Sequence, residues 1–270
     1  MTNWAYSTEG FARSVHRIDG VETVVYEIGS GEPLVYFHGG GTFHGFEWAR
    51  DFADAFRVIL PMHPNFGESG DAEFNGIEDY MMHYEMLFAA LELEQFSLIG
   101  ASMGGHFAAR YAGEHADEIN RLVLVSPAGL KSENAAIPDF AGVAPEDVPG
   151  MFVTDPSWIE PFWPREPSAE WQALREREAT AAFRTREDAD VADRKLREAL
   201  ADFACPTLLL WGENDRIVPT GFIPDWQAVL PKAEVAVIAG GGHLLLDESV
   251  PSRVAAKNFL LGQSAKLPIG

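Results

Sequence analysis

Residues 95–105 read QFSLIGASMGG, a short apolar run that leads directly into Gly-Ala-Ser-Met-Gly-Gly. A strand that ends in Gly-x-Ser-x-Gly and passes into a helix makes a sharp, strained turn, which lifts the serine oxygen clear of the sheet. Glycines flank Ser102 because a Cβ beside it would collide with neighbouring backbone in so tight a turn. The stretch predicts a nucleophilic serine, although alone it also fits an ordinary strand-to-helix turn.

The rest of the chain alternates short apolar strands with helical patterns. Strands are predicted at residues 21–28, 34–37, 57–60, 96–99, 122–125, 208–211 and 234–238, and helices at 46–56, 77–93, 104–113, 224–230 and 249–261. Apolar strands that alternate with helices indicate a parallel sheet covered on both faces. The sequence therefore predicts an α/β fold in which ligands bind at the carboxyl ends of the strands.

One long segment interrupts this alternation. Residues 130–204 lie between two apolar strands, begin with Pro and Gly, continue through an aromatic stretch and become charged and helical at 168–200. We expect a mainly helical lid, or cap, inserted into a core domain formed by residues 1–129 and 205–270. Most of the aromatic side chains are expected to form the packing core of the lid itself, with one or two facing the substrate.

A catalytic serine requires a base. The serine hydroxyl is a poor nucleophile at neutral pH, so a histidine must take its proton and an acid must orient that histidine. On this type of sheet the order along the chain is serine, acid, histidine. His243 follows three glycines directly after the last predicted strand, and it is the only histidine beyond the predicted lid. We predict His243 as the base rather than a structural loop residue.

The acid is predicted in the loop Trp-Gly-Glu-Asn-Asp, which follows the strand at 208–211. We predict Asp215 as the acid and keep Glu213, in the same loop, in reserve. A helix-capping role is the alternative for Asp215, because it precedes a segment that would start the next helix. Asp247 lies four residues after His243 and could contact it, but a partner on the same segment is less able to orient the imidazole.

Negative charge on a carbonyl oxygen under attack must be met by fixed hydrogen-bond donors. The amide of Met103, first in the helix after the turn, is one predicted donor, assisted by the helix N-terminus. The sequence His-Gly-Gly-Gly at residues 38–41 provides the other, because backbone without side chains can approach a substrate closely. We predict the Gly40 amide, the alternative being a plain glycine turn.

Together these four motifs resemble the α/β-hydrolase fold family over nearly the whole chain. The resemblance implies a mostly parallel central sheet flanked by helices, with an inserted helical lid. It also implies Ser102 as the nucleophile, Asp215 as the acid and His243 as the base, with the amides of Gly40 and Met103 as the oxyanion hole. Serine at the elbow argues against the family's haloalkane dehalogenases and epoxide hydrolases, which attack through a carboxylate.

The resemblance leaves the substrate open. The glycine loop and the elbow also look like those of carbon–carbon bond hydrolases from aromatic ring-cleavage pathways, although Leu244 stands where those enzymes usually have tryptophan. We expect a carboxylesterase-like serine hydrolase for a small-to-medium, largely apolar ester or lactone. Carbon–carbon bond hydrolysis of a vinylogous diketone is the alternative, and a non-catalytic ligand-binding member of the fold is a third. The chemistry calls for no metal or organic cofactor.

Composition restricts the partners and the compartment. Lys and Arg total 20 against 41 Asp and Glu, which gives a net charge of -21. Such a surface repels phosphate backbones and anionic lipid, so neither nucleic acid nor membrane is an expected partner. The single cysteine, Cys205, can form no internal disulfide and is expected to be structural. The N-terminus lacks a basic segment followed by an apolar one, and we therefore expect a cytoplasmic protein.

Overall fold

A mostly parallel sheet forms the centre of the protein. The computed structural model describes residues 6–138, 143–144, 146–186 and 188–265, and within them eight strands pair in the order β1-β2-β4-β3-β5-β6-β7-β8. The strands are β1 (Ala12–Ile18), β2 (Val21–Ile28), β3 (Glu32–Phe37), β4 (Phe56–Pro61), β5 (Phe96–Ala101), β6 (Ile119–Val125), β7 (Thr207–Gly212) and β8 (Glu234–Ile238). The pairs β1–β2 and β2–β4 are antiparallel, and all other neighbours are parallel. The predicted α/β fold is confirmed.

Helices cover both faces of the sheet. The described helices are α1 (Ile77–Ala90), α2 (Met103–Glu114), α3 (Pro149–Phe152), α4 (Pro156–Ile159), α5 (Ala169–Arg184), α6 (Ala189–Ala199), α7 (Ile223–Val229), α8 (Leu245–Glu248) and α9 (Val250–Leu260). Successive side chains of a strand point to opposite faces. In β3, Val35 and Phe37 pack with α1 and α2, whereas Leu34 and Tyr36 pack on the side of α9. None of the described helices is both long and apolar enough to cross a bilayer.

Strand β1 was not predicted. It lies at the edge of the sheet and most of its side chains are exposed or half-buried, so it lacks an apolar pattern. Asp19 and Gly20 connect it to β2 with φ angles of 45° and 84°. Two successive residues with positive φ are the requirement of a tight hairpin turn, for which Asp-Gly is a preferred pair. That dipeptide was the available signal for the hairpin.

The helix predicted at residues 46–56 is also different in the structure. It is a 3₁₀ helix limited to Glu47–Phe52, with Trp48, Ala49 and Phe52 buried against the sheet. Phe46 provides no side-chain cap, and the chain must enter β4 at Phe56. Short connecting segments of this kind commonly adopt the tighter 3₁₀ geometry.

The chain between β6 and β7 forms α3 to α6, and the described part of residues 130–204 contains no strand. Residues 139–142, 145 and 187 of this predicted lid lie outside the described residues. The charged stretch predicted as helical at 168–200 is divided into α5 and α6. Each begins at a side-chain cap, because Ser168 accepts a hydrogen bond from the Trp171 amide, and Asp188 accepts from two amides of the first turn of α6.

Candidate active site

Ser102 lies at the carboxyl end of β5, immediately before α2, with φ 54° and ψ -118°. A residue with a side chain rarely adopts this region, so the conformation is strained and must be held by its surroundings. The Ser102 amide donates to the Val125 carbonyl at 2.9 Å, and the Ser102 carbonyl accepts from the amides of Gly105 at 2.9 Å and Ala128 at 3.0 Å. Hydrogen bonds to β6, α2 and the loop after β6 therefore fix the turn.

Glycines allow α2 to approach the sheet closely behind Ser102. A Cβ on Gly104 would lie 2.2 Å from the Phe37 carbonyl oxygen, and a Cβ on Gly100 would lie 2.4 Å from the Gly104 oxygen. Both distances are far inside van der Waals contact with backbone that cannot move aside. The elbow geometry thus depends on glycine at these positions.

His243 and Asp215 form a buried hydrogen-bonded pair. The imidazole Nδ1 lies 2.8 Å from Asp215 Oδ2 and 3.1 Å from Oδ1. Oδ1 also accepts from the amides of Ile217 at 2.8 Å and Val218 at 2.9 Å. Burial alone would raise the pKa of Asp215, but its electrostatic interaction and hydrogen bond with His243 and the hydrogen bond from the Ile217 amide outweigh it and hold the pKa below its ordinary value. Asp215 is a carboxylate that accepts the Nδ1 proton.

Two loops must meet to form this pair, and glycines again permit the contact. A Cβ on Gly212 would lie 2.3 Å from the Gly242 carbonyl oxygen, so the loop after β8 passes directly against the end of β7. The Asn214 amide donates to the Gly241 carbonyl at 2.8 Å. The indole of Trp211 donates to the Val218 carbonyl at 2.7 Å and thereby closes the loop that carries Asp215.

The other two carboxylates considered for the acid have different partners. Glu213 accepts a hydrogen bond from the Gly240 amide at 3.0 Å. Asp247 accepts from Nδ1 of His44 at 3.1 Å. Sequence reasoning missed this second pair, and no local signal could have found it because the two residues are 203 positions apart.

Buried histidines hold the loop that carries Gly40. Nδ1 of His38 donates to the Gly39 carbonyl at 2.7 Å, and Nε2 of His38 accepts from the His63 amide at 2.9 Å. A Cβ on Gly39 would lie 3.4 Å from the Cβ of Ser102, so this loop lies directly beside the elbow. Within the described residues, the amides of Gly40 and Met103 donate to no other group.

A buried carboxylate from α5 reaches the same loop. Glu178 is 1% exposed and accepts from the Thr42 hydroxyl at 2.6 Å and from the Gly67 amide at 2.9 Å. It also forms an ion pair with Arg175 on the same helix. Glu178 therefore joins α5 to the loops after β3 and β4. In the sequence, Glu178 is one of many charges in a predicted helix, and no motif marks it.

Two cavities meet at Ser102. The first, with a volume of about 390 Å³, is lined by His243 and is called the His243 cavity below. The second, of about 660 Å³, is lined by Met103 and is called the Met103 cavity. Residues common to both walls are Gly40, Ser102, Ala182, Arg186 and Ile217. Ser102, His243, Gly40 and Met103 are thus brought to one place, with Asp215 buried behind His243.

Comparison with known proteins identifies the family. The profile described as the alpha/beta hydrolase family matches residues 34–257, more than half of the chain. The chain belongs to the alpha/beta hydrolase family. Lipase 1 of Psychrobacter immobilis is 25% identical, over 93% of this chain and 85% of that protein. The 2-hydroxy-6-oxo-6-phenylhexa-2,4-dienoate hydrolase of Comamonas testosteroni is 28% identical, over 72% of this chain and 74% of its own.

A solved structure shares the fold of this alpha/beta hydrolase. The thermophilic esterase from Thermogutta terrifontis superimposes with a TM-score of 0.72 at 22% identity, covering 93% of this chain and 98% of that one. At this identity the likeness extends to the fold, and the relatives carry the names of different hydrolases: a lipase, a dienoate hydrolase and an esterase. Family membership therefore makes the protein a hydrolase without selecting its substrate.

Four buried histidines make the stability of this alpha/beta hydrolase sensitive to acid. Burial lowers the pKa of His38 to about 3, lowers those of His83 and His106 to about 4, and holds that of His63 well below 6.5. In the unfolded chain each of these imidazoles takes up a proton near pH 6.5, whereas in the folded chain it stays neutral at that pH. The stability from their neutral state is therefore complete above pH 6.5 and is lost as the pH falls toward 4.

Between pH 7 and pH 5 we expect the free energy of unfolding to fall by on the order of 2 kcal/mol for each of these histidines. Urea titrations at the two pH values and constant ionic strength measure the change. His83, whose Nε2 lies 2.8 Å from the Thr23 hydroxyl oxygen, offers a control. His83→Gln removes one titrating group. The number of protons taken up on unfolding, which sets the slope of the free energy of unfolding against pH, should therefore fall by about one. An unchanged dependence in that variant would contradict the assignment.

Proposed function

We propose that this protein is a serine hydrolase that cleaves a small-to-medium, largely apolar carboxylic ester or lactone through an acyl-enzyme. The observation that carries the proposal is that His243, hydrogen-bonded to the buried Asp215, lines a cavity that Ser102 also lines. A nucleophile, a base and an orienting acid are the parts that acyl transfer requires. The lipase and esterase names among the relatives add support.

In the proposed mechanism, the Oγ of Ser102 attacks the carbonyl carbon of the substrate. Nε2 of His243 takes the hydroxyl proton, and Asp215 stabilises the resulting imidazolium through the hydrogen bond to Nδ1. The tetrahedral intermediate collapses when His243 returns the proton to the leaving alcohol oxygen. Water then attacks the acyl-enzyme by the same sequence, with His243 again as base and then as acid.

The amides of Gly40 and Met103 are the proposed oxyanion hole. Both residues line the Met103 cavity beside Ser102, and Gly40 also lines the His243 cavity. Met103 is the first residue of α2, so its amide lies at the positive end of the helix dipole. A fixed donor in this position raises kcat by on the order of a hundredfold. The contribution of Met103 comes from its backbone.

The two cavities suggest how an ester divides between them. His243 lines only the first, and the leaving oxygen must be within reach of His243 to receive a proton. We therefore assign the alcohol part to the His243 cavity and the acyl part to the Met103 cavity. Their volumes, about 390 Å³ and about 660 Å³, suit small-to-medium groups.

We further propose that residues 130–204 are a lid on a core domain of residues 1–129 and 205–270. Helix α5 contributes Ala182 to the walls of both cavities and holds the oxyanion loop through Glu178. The backbone carbonyl of Phe152, at the end of α3, accepts from the amides of His243 and Leu244, each at 2.9 Å. The inserted helices thus contact both the oxyanion loop and the loop of the base.

Carbon–carbon bond hydrolysis of a vinylogous diketone is the second candidate, and one observation favours it. Arg186 is exposed where the two cavities meet, and its guanidinium pairs with no carboxylate among the described residues. It can bind a substrate carboxylate such as the dienoate named for the Comamonas enzyme. Leu244, in place of the usual tryptophan, weighs against it. Turnover of such a diketone but not of short p-nitrophenyl esters would favour this candidate.

Labelling with a fluorophosphonate, followed by peptide mapping, tests the nucleophile. We expect the label on Ser102 and none after Ser102→Ala. Ser126 is the informative competitor, since it has φ 43° at the end of the neighbouring strand but is fully buried. Ser97→Ala, on the same strand as the nucleophile, should leave labelling intact. Label on any other serine, or full ester turnover by Ser102→Ala, would refute the mechanism.

A further inference from the structure

A second histidine–carboxylate pair faces the cavity that contains the base. His44 and Asp247 both line the His243 cavity, and their side chains are each 6% exposed. Nδ1 of His44 lies 3.1 Å from Asp247 Oδ1. His44 belongs to the loop after β3 and Asp247 to α8, so the pair closes the cavity between two separate elements. The acyl-transfer mechanism uses neither residue.

The hydrogen bond to Asp247 determines what His44 presents to the cavity. A carboxylate can only accept, so Nδ1 carries the proton and Nε2 of the neutral ring is an acceptor. This Nε2 has no hydrogen-bond partner within the described ranges of the chain. Asp247 therefore holds the imidazole in one tautomer, with an acceptor available to a ligand.

Tyr36 adds a hydroxyl to the same wall. Its side chain lines the His243 cavity, and its hydroxyl makes no hydrogen bond to any described residue. Burial and the nearby charge of Asp247 raise the pKa of Tyr36 well above its ordinary value, so the phenol stays protonated and able to donate. The wall thus offers one acceptor, His44 Nε2, and one donor, the Tyr36 hydroxyl.

Charge beside His44 favours a neutral ligand group. Asp247 and Glu178 line this cavity as carboxylates and disfavour an anion near His44. Arg175, a cation on the same wall, is already paired with Glu178. Arg186 has no carboxylate partner among the described residues, and it lies at the junction with the Met103 cavity, which His44 does not line. A hydroxyl group can donate to His44 and accept from Tyr36 at once, whereas an alkyl group would leave both without a partner.

We propose that His44 and Tyr36, with Asp247 orienting His44, form a hydroxyl-binding subsite for the leaving alcohol, so that the preferred substrates are monoesters of a diol or polyol. The inference rests on the proposed function, because it takes the His243 cavity as the alcohol side of the ester. It adds the chemical class of the alcohol, which neither the family nor the elbow indicates.

Three esters with one acyl group test the subsite: propyl hexanoate, 3-hydroxypropyl hexanoate and glyceryl 1-monohexanoate. We expect kcat/KM for the hydroxylated esters to exceed that for the propyl ester by about tenfold, the effect of one or two hydrogen bonds made in place of unpaired polar groups. His44→Phe should reduce this ratio to about one. Tyr36→Phe, which keeps the ring and its packing, should reduce it partially.

A control variant lies in the other cavity. His106 lines the Met103 cavity, so His106→Phe should alter the preference among acyl groups while retaining the preference for hydroxylated alcohols. Circular dichroism and the rate of fluorophosphonate labelling establish that each variant is folded with an intact elbow. The readout is the ratio of kcat/KM for a hydroxylated ester to kcat/KM for propyl hexanoate. A merely structural role would not change this ratio.

The outcomes separate the two proposals. Hydrolysis of propyl hexanoate as fast as of the hydroxylated esters overturns the subsite and leaves the esterase proposal standing. A preference that survives both His44→Phe and Tyr36→Phe also overturns the subsite. Failure to hydrolyse any of the three esters, with Ser102 unlabelled, overturns the proposed function and this inference together.

Discussion

Asp215→Asn is expected to lower kcat by about 10⁴-fold at pH 7. The reason lies in the two oxygens of the carboxylate. Oδ1 accepts from the amides of Ile217 and Val218, so the carbonyl oxygen of asparagine must take that position. The amide nitrogen then occupies the place of Oδ2, which lies 2.8 Å from Nδ1 of His243, and it donates where the carboxylate accepted. The imidazole is forced into the tautomer with a proton on Nε2, which cannot accept the serine proton.

Steady-state kinetics on a short p-nitrophenyl ester measures this effect. Glu213→Gln is the matched control, since Glu213 lies in the same loop and its bond to the Gly240 amide can be kept by the glutamine carbonyl. We expect Glu213→Gln to stay within about threefold of the unaltered protein. Equal losses in the two variants, or an Asp215→Asn variant with nearly full kcat, would show that Asp215 is not the acid.

Glu178→Ala is expected to lower the free energy of unfolding by about 3–5 kcal/mol. Removal of the carboxylate leaves Arg175, whose side chain is 15% exposed, as a largely desolvated, unpaired cation and takes the acceptor away from the Thr42 hydroxyl and the Gly67 amide. Thr42 is two residues from Gly40, so the proposed oxyanion loop would lose its support and kcat should fall as well. Urea unfolding and ester kinetics measure the two effects separately.

Two further variants make the test of Glu178 specific. Glu176 is exposed on the same helix, so Glu176→Ala should change stability by no more than about 0.5 kcal/mol. The double variant Arg175→Met/Glu178→Leu removes both charges and should recover part of the lost stability, because no ion remains unpaired. If Glu178→Ala were as stable as the Glu176 variant, the buried ion pair would not hold the helix to the loop.

The central strands were predictable because each carries a local signal. A run such as LVLV in β6 is buried on both faces, and its apolar character is present in the residues themselves. The exposed edge strand β1 has no such run and was missed. Residues 46–56 have a helical pattern, but only Glu47–Phe52 form a helix, of 3₁₀ geometry, before β4 begins at Phe56. Periodicity therefore predicts whether an element is buried more reliably than it predicts how long the element is.

The proposed catalytic residues were also accessible from the sequence, since each follows a predicted strand in a recognisable motif. Their roles remain predictions that the kinetic variants test. The structure adds the contact between Asp215 and His243 and the packing of Gly39 beside Ser102. These contacts arise because parallel neighbouring strands bring their carboxyl ends to one edge of the sheet.

By itself the sequence determined the family, the α/β architecture and the positions of the polar motifs, because these depend on local periodicity and on glycine at tight turns. Only the tertiary structure decided which distant side chains meet. His44 finds Asp247 across 203 residues, and Glu178 finds Gly67 across 111. Neither pair has a sequence pattern, because their contact depends on the order of the strands and on how the inserted helices pack over them. The features behind the proposed alcohol subsite and the support of the loop that carries Gly40 therefore belong to the folded chain alone.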